Sequence, residues 1–225
     1  MFKEKAEDIK AKIQDKEYMK TKTESFFKEL LDMVVFVLIA VTIIRFFFGE
    51  LRLIPSESMV PTIIPKDRVV VDRMTRFFRS PQRGEIMVFY PPSTELKNTP
   101  LALFTRYTGI GCKDIAYIKR IIGMPNDKIE IKPADDGSYE VLINDTPLNE
   151  PYIYDKFDYL PCTIGMYCGP FTLGNNEYFM MGDNRGNSRD SRYWGPITKD
   201  RFIGRAVLLF WPLNRIKLFN RQETL

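Results

Sequence analysis

"AYIKRIIGMPNDKIEI", residues 116–131, decides the fold class. Two runs rich in isoleucine, 116–122 and 128–132, have the length and composition of strands. Between them, Gly-Met-Pro-Asn-Asp supplies turn chemistry. Similar runs recur on both sides: "DRVVVDR" (67–73), "GEIMVFYPP" (84–92), "YEVLIND" (139–145), "EYFMMGDN" (177–184) and "IGRAVLLFWP" (203–212). "YEVLIND" ends in a hairpin-like Asn144-Asp145 pair. Fifteen prolines and thirteen glycines favour many turns. The expected fold is mainly β. Residues 133–176, rich in Pro, Gly and Asp and poor in long strands, read as an insertion or a smaller β subdomain.

Upstream of the strands the pattern changes. Residues 1–29 mix lysines with acidic residues, a solvated helical tail. "MVVFVLIAVTIIRFFFG" (33–49) follows, without a charge from Met33 to Ile44. With Arg45 snorkelling, a span to Phe48 rises roughly 24 Å, close to the ~30 Å hydrocarbon core, and Leu30 and Leu31 add to it. The expectation is one uncleaved transmembrane anchor over 30–49. Lysine excess before it places the N-terminus in the cytoplasm and residues 50–225 outside. No small-x-small site follows the apolar run, which argues against a cleaved signal peptide.

The chain has no histidine. That excludes a Ser-His-Asp triad, a Cys-His dyad and a histidine-ligated zinc. Three cysteines, Cys112, Cys162 and Cys168, are too few for a four-cysteine metal site. No metal or cofactor is called for. The net charge of +4, with no basic block interleaved with aromatics, leaves no nucleic-acid footprint. Nothing indicates an oligomer.

Hydrolytic chemistry must therefore use other groups. "IPSESMVPT" (54–62) directly follows the apolar region and offers two serines, Ser56 and Ser58. A serine attacks only when a base takes its proton. Without histidine, Ser, Thr, Lys, Asp, Glu and Tyr stay open for the chemistry, and the base to look for is a neutral lysine, whose pKa apolar burial can lower far enough. Lys119 sits among apolar residues in "AYIKRII", sharing a strand face with Tyr117 and Ile121. A strand edge with solvated Lys119 and Arg120 fits the same pattern. "MMGDNRGNSRDSRYWG" (180–195) reads either as a polar surface loop or as a buried network. In the second reading Asp183, Asp190, Arg120 and Arg192 form ion pairs.

Together these stretches are similar to those of type I signal peptidases, membrane-bound Ser-Lys endopeptidases that remove secretory signal peptides. "PSESMVPT" resembles the nucleophile box and "KDRVVVDR" the strand box after it. "YIKRIIGMPND" resembles the lysine box, "MGDNRGNSRDSRYWG" the last box and "GRAVLLFWP" the closing strand. The five run in the family's order behind an apolar segment. The resemblance implies an antiparallel β catalytic domain with a smaller inserted β subdomain. It implies Ser58 as nucleophile and Lys119 as general base. Ser56 is then an oxyanion-hole donor, and Ser188 hydrogen-bonds and orients the Lys119 amine. Arg120 with Asp183, and Asp190 with Arg192, support the site. Ile54, Pro55, Met59, Ile63, Tyr117 and Ile118 line the pockets for small residues before the cut.

The implied partners are secretory precursors and membrane lipid, at a bacterial cytoplasmic membrane. On the oxidising side of that membrane Cys162 and Cys168, in one loop, are expected to form a disulfide; some relatives carry a similarly spaced pair. Cys112 is left unpaired. Two rivals are a self-cleaving Ser-Lys repressor, which would need a DNA-binding domain, and an inactive membrane-anchored β domain.

Overall fold

The computed structural model describes residues 2–47, 49–97, 99–108, 115–159, 162 and 166–219, except the side chains of 2–18, 44–47, 76 and 106–108. The chain divides into two compact units, Met1–Ile44 and Arg45–Leu225.

The charged tail and the apolar run form one continuous helix, α1 (Phe2–Phe47). Pro and Gly, the residues that break helices, do not occur between Phe2 and Phe48. Its apolar run is uncovered: Phe36 is 71% exposed, and Met33, Leu38 and Ile39 are each more than half exposed. Thr42, the polar residue within that run, donates its hydroxyl to Leu38 O at 2.7 Å. Among the described residues, no helix is long and apolar enough to cross a membrane. The side chains that close the expected span, from Ile44 to Phe48, lie outside the described residues.

Among the described residues twelve strands follow: β1 (Glu50–Leu53), β2 (Arg68–Asp72), β3 (Ile86–Phe89), β4 (Tyr117–Gly123), β5 (Lys128–Pro133), β6 (Tyr139–Ile143), β7 (Thr146–Pro147), β8 (Phe171–Thr172), β9 (Glu177–Met181), β10 (Ile197–Thr198), β11 (Phe202–Trp211) and β12 (Lys217–Leu218). Short α-helices lie between them: α2 (Thr75–Phe78), α3 (Pro100–Thr108) and α4 (Ser191–Trp194).

The larger sheet has the order β1-β2-β11-β3-β4-β9-β10, with β12 added on β11. All its pairs are antiparallel. Both faces of its centre are covered, so β3 is buried at every position. Ile86 and Val88 face one core with Ile54, Met59, Ile63 and Ile118. Met87 and Phe89 face another with Ile121, Met180 and Phe202. Gly49 (φ +117) lets the chain pass β2 before β1 begins; a Cβ there would lie 2.4 Å from Val71 O.

The smaller sheet, β7-β6-β5-β8, closes a third core around Ile129, Val141, Ile143 and Phe179. Asn144 (φ 52) and Asp145 (φ 67) turn β6 into β7, both in the left-handed region that a two-residue hairpin demands. Cys162 and Cys168 are bonded in the loop that precedes β8. Cys112 lies outside the described residues.

Candidate active site

Ser58 stands on a compact turn between β1 and β2. Ile54 N donates to Asp67 O (2.9 Å) and Lys66 N to Ile54 O (2.8 Å), closing the base of the loop. Met59 and Ile63, both fully buried, plug the loop into the core, and Ile63 N donates to Met59 O. The apolar residues around Ser58 thus fix its backbone.

Lys119 comes from β4, opposite Met87 in the register with β3. On its other edge β4 meets β9 only from Arg120 onward. Tyr117 to Lys119 therefore present an edge to the site that carries no partner strand among the described residues. Lys119 is 5% exposed, and its Nζ donates to Ser58 Oγ at 2.5 Å. Burial pulls the ammonium down from 10.5 to about 8. Asp190 and Asp183 pull the other way, and Arg192 pushes it lower. The solvated strand edge is thereby set aside: this lysine is buried, aimed at a serine 61 residues away in the chain.

Ser56 is exposed, its hydroxyl 3.4 Å from Ser58 Oγ. The backbone N–H of Ser58 donates to no group among the described residues. It is free to meet a negative oxygen beside the serine.

Both ion pairs are formed. Arg120 grips Asp183 through Nε (2.8 Å) and Nη2 (2.6 Å), donates Nη1 to Gly84 O, and lies 3.9 Å over the Tyr152 ring. Thr62 donates to the same Asp183 carboxylate at 2.6 Å. Arg192 grips Asp190 through Nε (2.8 Å) and Nη2 (2.9 Å) and also donates to Ser188 O. Asp190 is held below the usual carboxylate range. Burial pushes it up, but Arg192 and the Gly182 N–H more than offset this.

Ser188 is placed differently from the expectation. Its hydroxyl is buried beside Asp190, whose charged form it helps to hold, and it makes no hydrogen bond to Lys119. It lies against Gly182, where a Cβ would sit 2.3 Å from both Ser188 Oγ and Ser58 O. The bare backbone at Gly182 is what lets the last loop approach the serine loop this closely. Asn184 N completes the contact by donating to Ser58 O at 3.1 Å.

A groove of about 660 Å³ opens over Ser58 and Lys119. Leu53, Ile54, Pro55, Val88, Ala116, Tyr117 and Ile118 give it an apolar lining, to which Ser56, Glu57, Asn187 and Arg189 add polar groups. Of the expected pocket residues, Met59 and Ile63 do not line it. They are 0% exposed in the core, because the turn at Ser58 folds them inward. Sequence reasoning passed over Thr62, Gly182, Leu53 and Val88. Thr62 stood inside the serine stretch, and Gly182 directly before Asp183. No group of acidic or cysteine side chains suited to a metal ion occurs among the described residues.

The chain has clear relatives among known proteins. The profile of the family described as signal peptidase, peptidase S26, matches residues 27–211. Signal peptidase I of Leptolyngbya laminosa is 38% identical over 173 residues, covering 77% of this chain and 74% of that one. A probable signal peptidase I-2 of Synechocystis sp. is 35% identical over 189 residues, 83% and 73% of the two chains. Signal peptidase I S of Bacillus subtilis is 30% identical over 214 residues, 90% of this chain and 100% of that one.

Proposed function

Because the chain belongs to the signal peptidase family, peptidase S26, we propose that it is a serine endopeptidase that removes N-terminal signal peptides from secretory precursors. The observation that carries the mechanism is the Lys119 amine, held 2.5 Å from Ser58 Oγ with its pKa lowered to about 8. Neutral Lys119 takes the Ser58 proton as Oγ attacks the scissile carbonyl. The oxyanion forms between the Ser58 N–H and the Ser56 hydroxyl, a pair of donors worth a few kcal/mol in the transition state. Lys119, now an ammonium with three N–H donors, protonates the leaving amine. The Ser188 hydroxyl, not bonded to Lys119 in the resting site, accepts one of those donors once the amine is charged and keeps it aimed. Lys119 then activates a water that releases the acyl-enzyme.

The substrate lies extended along the open edge of β4 as an added strand. Ile54, Pro55, Tyr117 and Ile118 shape shallow apolar subsites, which suit small residues at the first and third positions before the cut. Residues 1–29 form the cytoplasmic tail, 30–49 the anchor and 50–225 the extracytoplasmic catalytic domain, with 133–176 as its subdomain. The uncovered apolar face of α1, with Thr42 bonded back to its own helix, supports an anchor in lipid. The site then stands at a bacterial cytoplasmic membrane, where signal peptides emerge.

The purified chain in detergent, given a secretory precursor, is expected to cut after small-x-small. Ser58→Ala and Lys119→Ala each abolish cutting and leave the circular dichroism unchanged; full activity in Lys119→Ala would sink the mechanism. The anchor is tested by alkaline extraction of membranes, from which release of the chain into the supernatant would count against it.

A further inference from the structure

Resting on the peptidase reading, we propose that Arg189 selects the residues that leave with the amine, favouring an acidic side chain at one of the first two positions after the cut. The groove's apolar lining comes from the end of β1, from Ile54 and Pro55, and from β3 and β4, and suits the small residues of the acyl half. Its polar lining, Glu57, Asn187 and Arg189, comes from the serine loop and from the loop after β9. The loop carrying the last two is fastened to the serine loop, since Asn184 Nδ2 donates to Glu57 O and Asn187 Nδ2 to the Glu57 carboxylate. An extended substrate whose acyl half covers the apolar lining brings its leaving half to this loop.

Arg189 is built to face it. Ser188 and Asp190 have extended backbones, and burial alternates along the segment: Ser188 2% exposed, Arg189 exposed, Asp190 0%. Successive side chains of an extended segment point to opposite sides, so Arg189 points outward where its neighbours point in. Arg192 pins that backbone through Ser188 O and Arg185 O. The other cations lining the groove are engaged, Lys119 with Ser58 and Arg52 with Glu50 at 2.9 Å. Among the described residues, Arg189 alone of the groove's cations has neither an ion pair nor a side-chain hydrogen bond. Its forked guanidinium matches a carboxylate in geometry as well as charge.

The test uses the purified full chain and three precursors that differ only in the residue placed at the first, then the second, position after the cut: Glu, Gln or Lys. At pH 9 and low salt, wild type is expected to show kcat/KM about fivefold higher for Glu than for Lys at one of the two, the size of an exposed ion pair. Arg189→Glu should invert that ratio, Arg189→Gln should bring it near one, and high salt should flatten it. A Glu-to-Lys ratio unchanged in Arg189→Glu at both positions, with thermal unfolding like wild type, overturns the assignment. The Gln precursor separates this from the earlier reading. If wild type cuts it and Ser58→Ala does not, a flat ratio defeats the Arg189 inference alone. If wild type cuts none of the three, the peptidase reading itself fails.

Discussion

Lys119 shows how one residue's environment becomes chemistry. A solvated lysine is almost wholly protonated near neutral pH and cannot accept a proton. Desolvation inside β4 lowers its pKa to about 8 even though two buried aspartates favour the charge. Each of those aspartates is claimed by its own arginine, so neither is left to anchor the ammonium. Activity should follow the neutral amine. Log kcat/KM is expected to rise with unit slope below pH 8, reach about a tenth of its maximum near pH 7, and level off above pH 8. A profile flat from pH 6 to 9 would remove Lys119 from the role of base. The lysine could be read from its setting, a charge inside an isoleucine-rich strand. Its partner came only through the family resemblance, because nothing local says that a serine 61 residues away folds onto that amine. Thr62 and Gly182 were hidden for the same reason. Their roles lie in a distant carboxylate and a close backbone approach, which leave no trace in residue type.

At the scale of elements, the smaller sheet is tied to the catalytic loop by a buried ionic cluster. Arg185, fully buried, donates to both oxygens of Glu150, to Tyr159 Oη (2.7 Å) and to Gly182 O (2.9 Å). Glu150 also accepts from Tyr152 Oη at 3.0 Å. Removing the carboxylate strands a guanidinium away from water, which costs several kcal/mol. Glu150→Ala is expected to lower unfolding stability by about 3 kcal/mol in urea titration. Lys128→Ala, in an exposed pair with Asp145, should leave it near wild type. Loss of Glu150 without effect would mean that the cluster does not join the two sheets.

The elements themselves were unevenly legible. Strands with dense β-branched runs were read within a residue or two, and the Asn144-Asp145 turn declared its hairpin. β1 was missed because four residues after an apolar helix carry no period of their own. α3 was missed although Thr99 and Pro100 signal a helix start, and Thr99 Oγ1 does accept from Ala102 N at 3.2 Å. The run after them, "LALFTRYT", is aromatic and polar enough to pass for a loop. β8, β10 and β12 have two residues each and exist only because a neighbouring strand offers an edge.

For the whole molecule, burying Lys119 is a cost in stability accepted for function, and that cost has a pH signature. In the unfolded chain the lysine keeps its proton up to about 10.5; in the fold it releases it near 8. Between those values the unfolded state binds more protons, so stability rises as pH rises. Below pH 8 the fold carries the full penalty, and above pH 10.5 it carries none. The drop from 10.5 to about 8 corresponds to about 3 kcal/mol. Lys119→Met keeps most of the volume and removes the titration. The variant is therefore expected to be inactive yet more stable than wild type, by about 3 kcal/mol at pH 7, with the gap closing toward pH 10.5. Chemical denaturation of both proteins at pH 7 and pH 10.5 measures it. Equal stabilities at pH 7, or a gap of the same size at both values, would show that the folded lysine keeps its ordinary proton affinity.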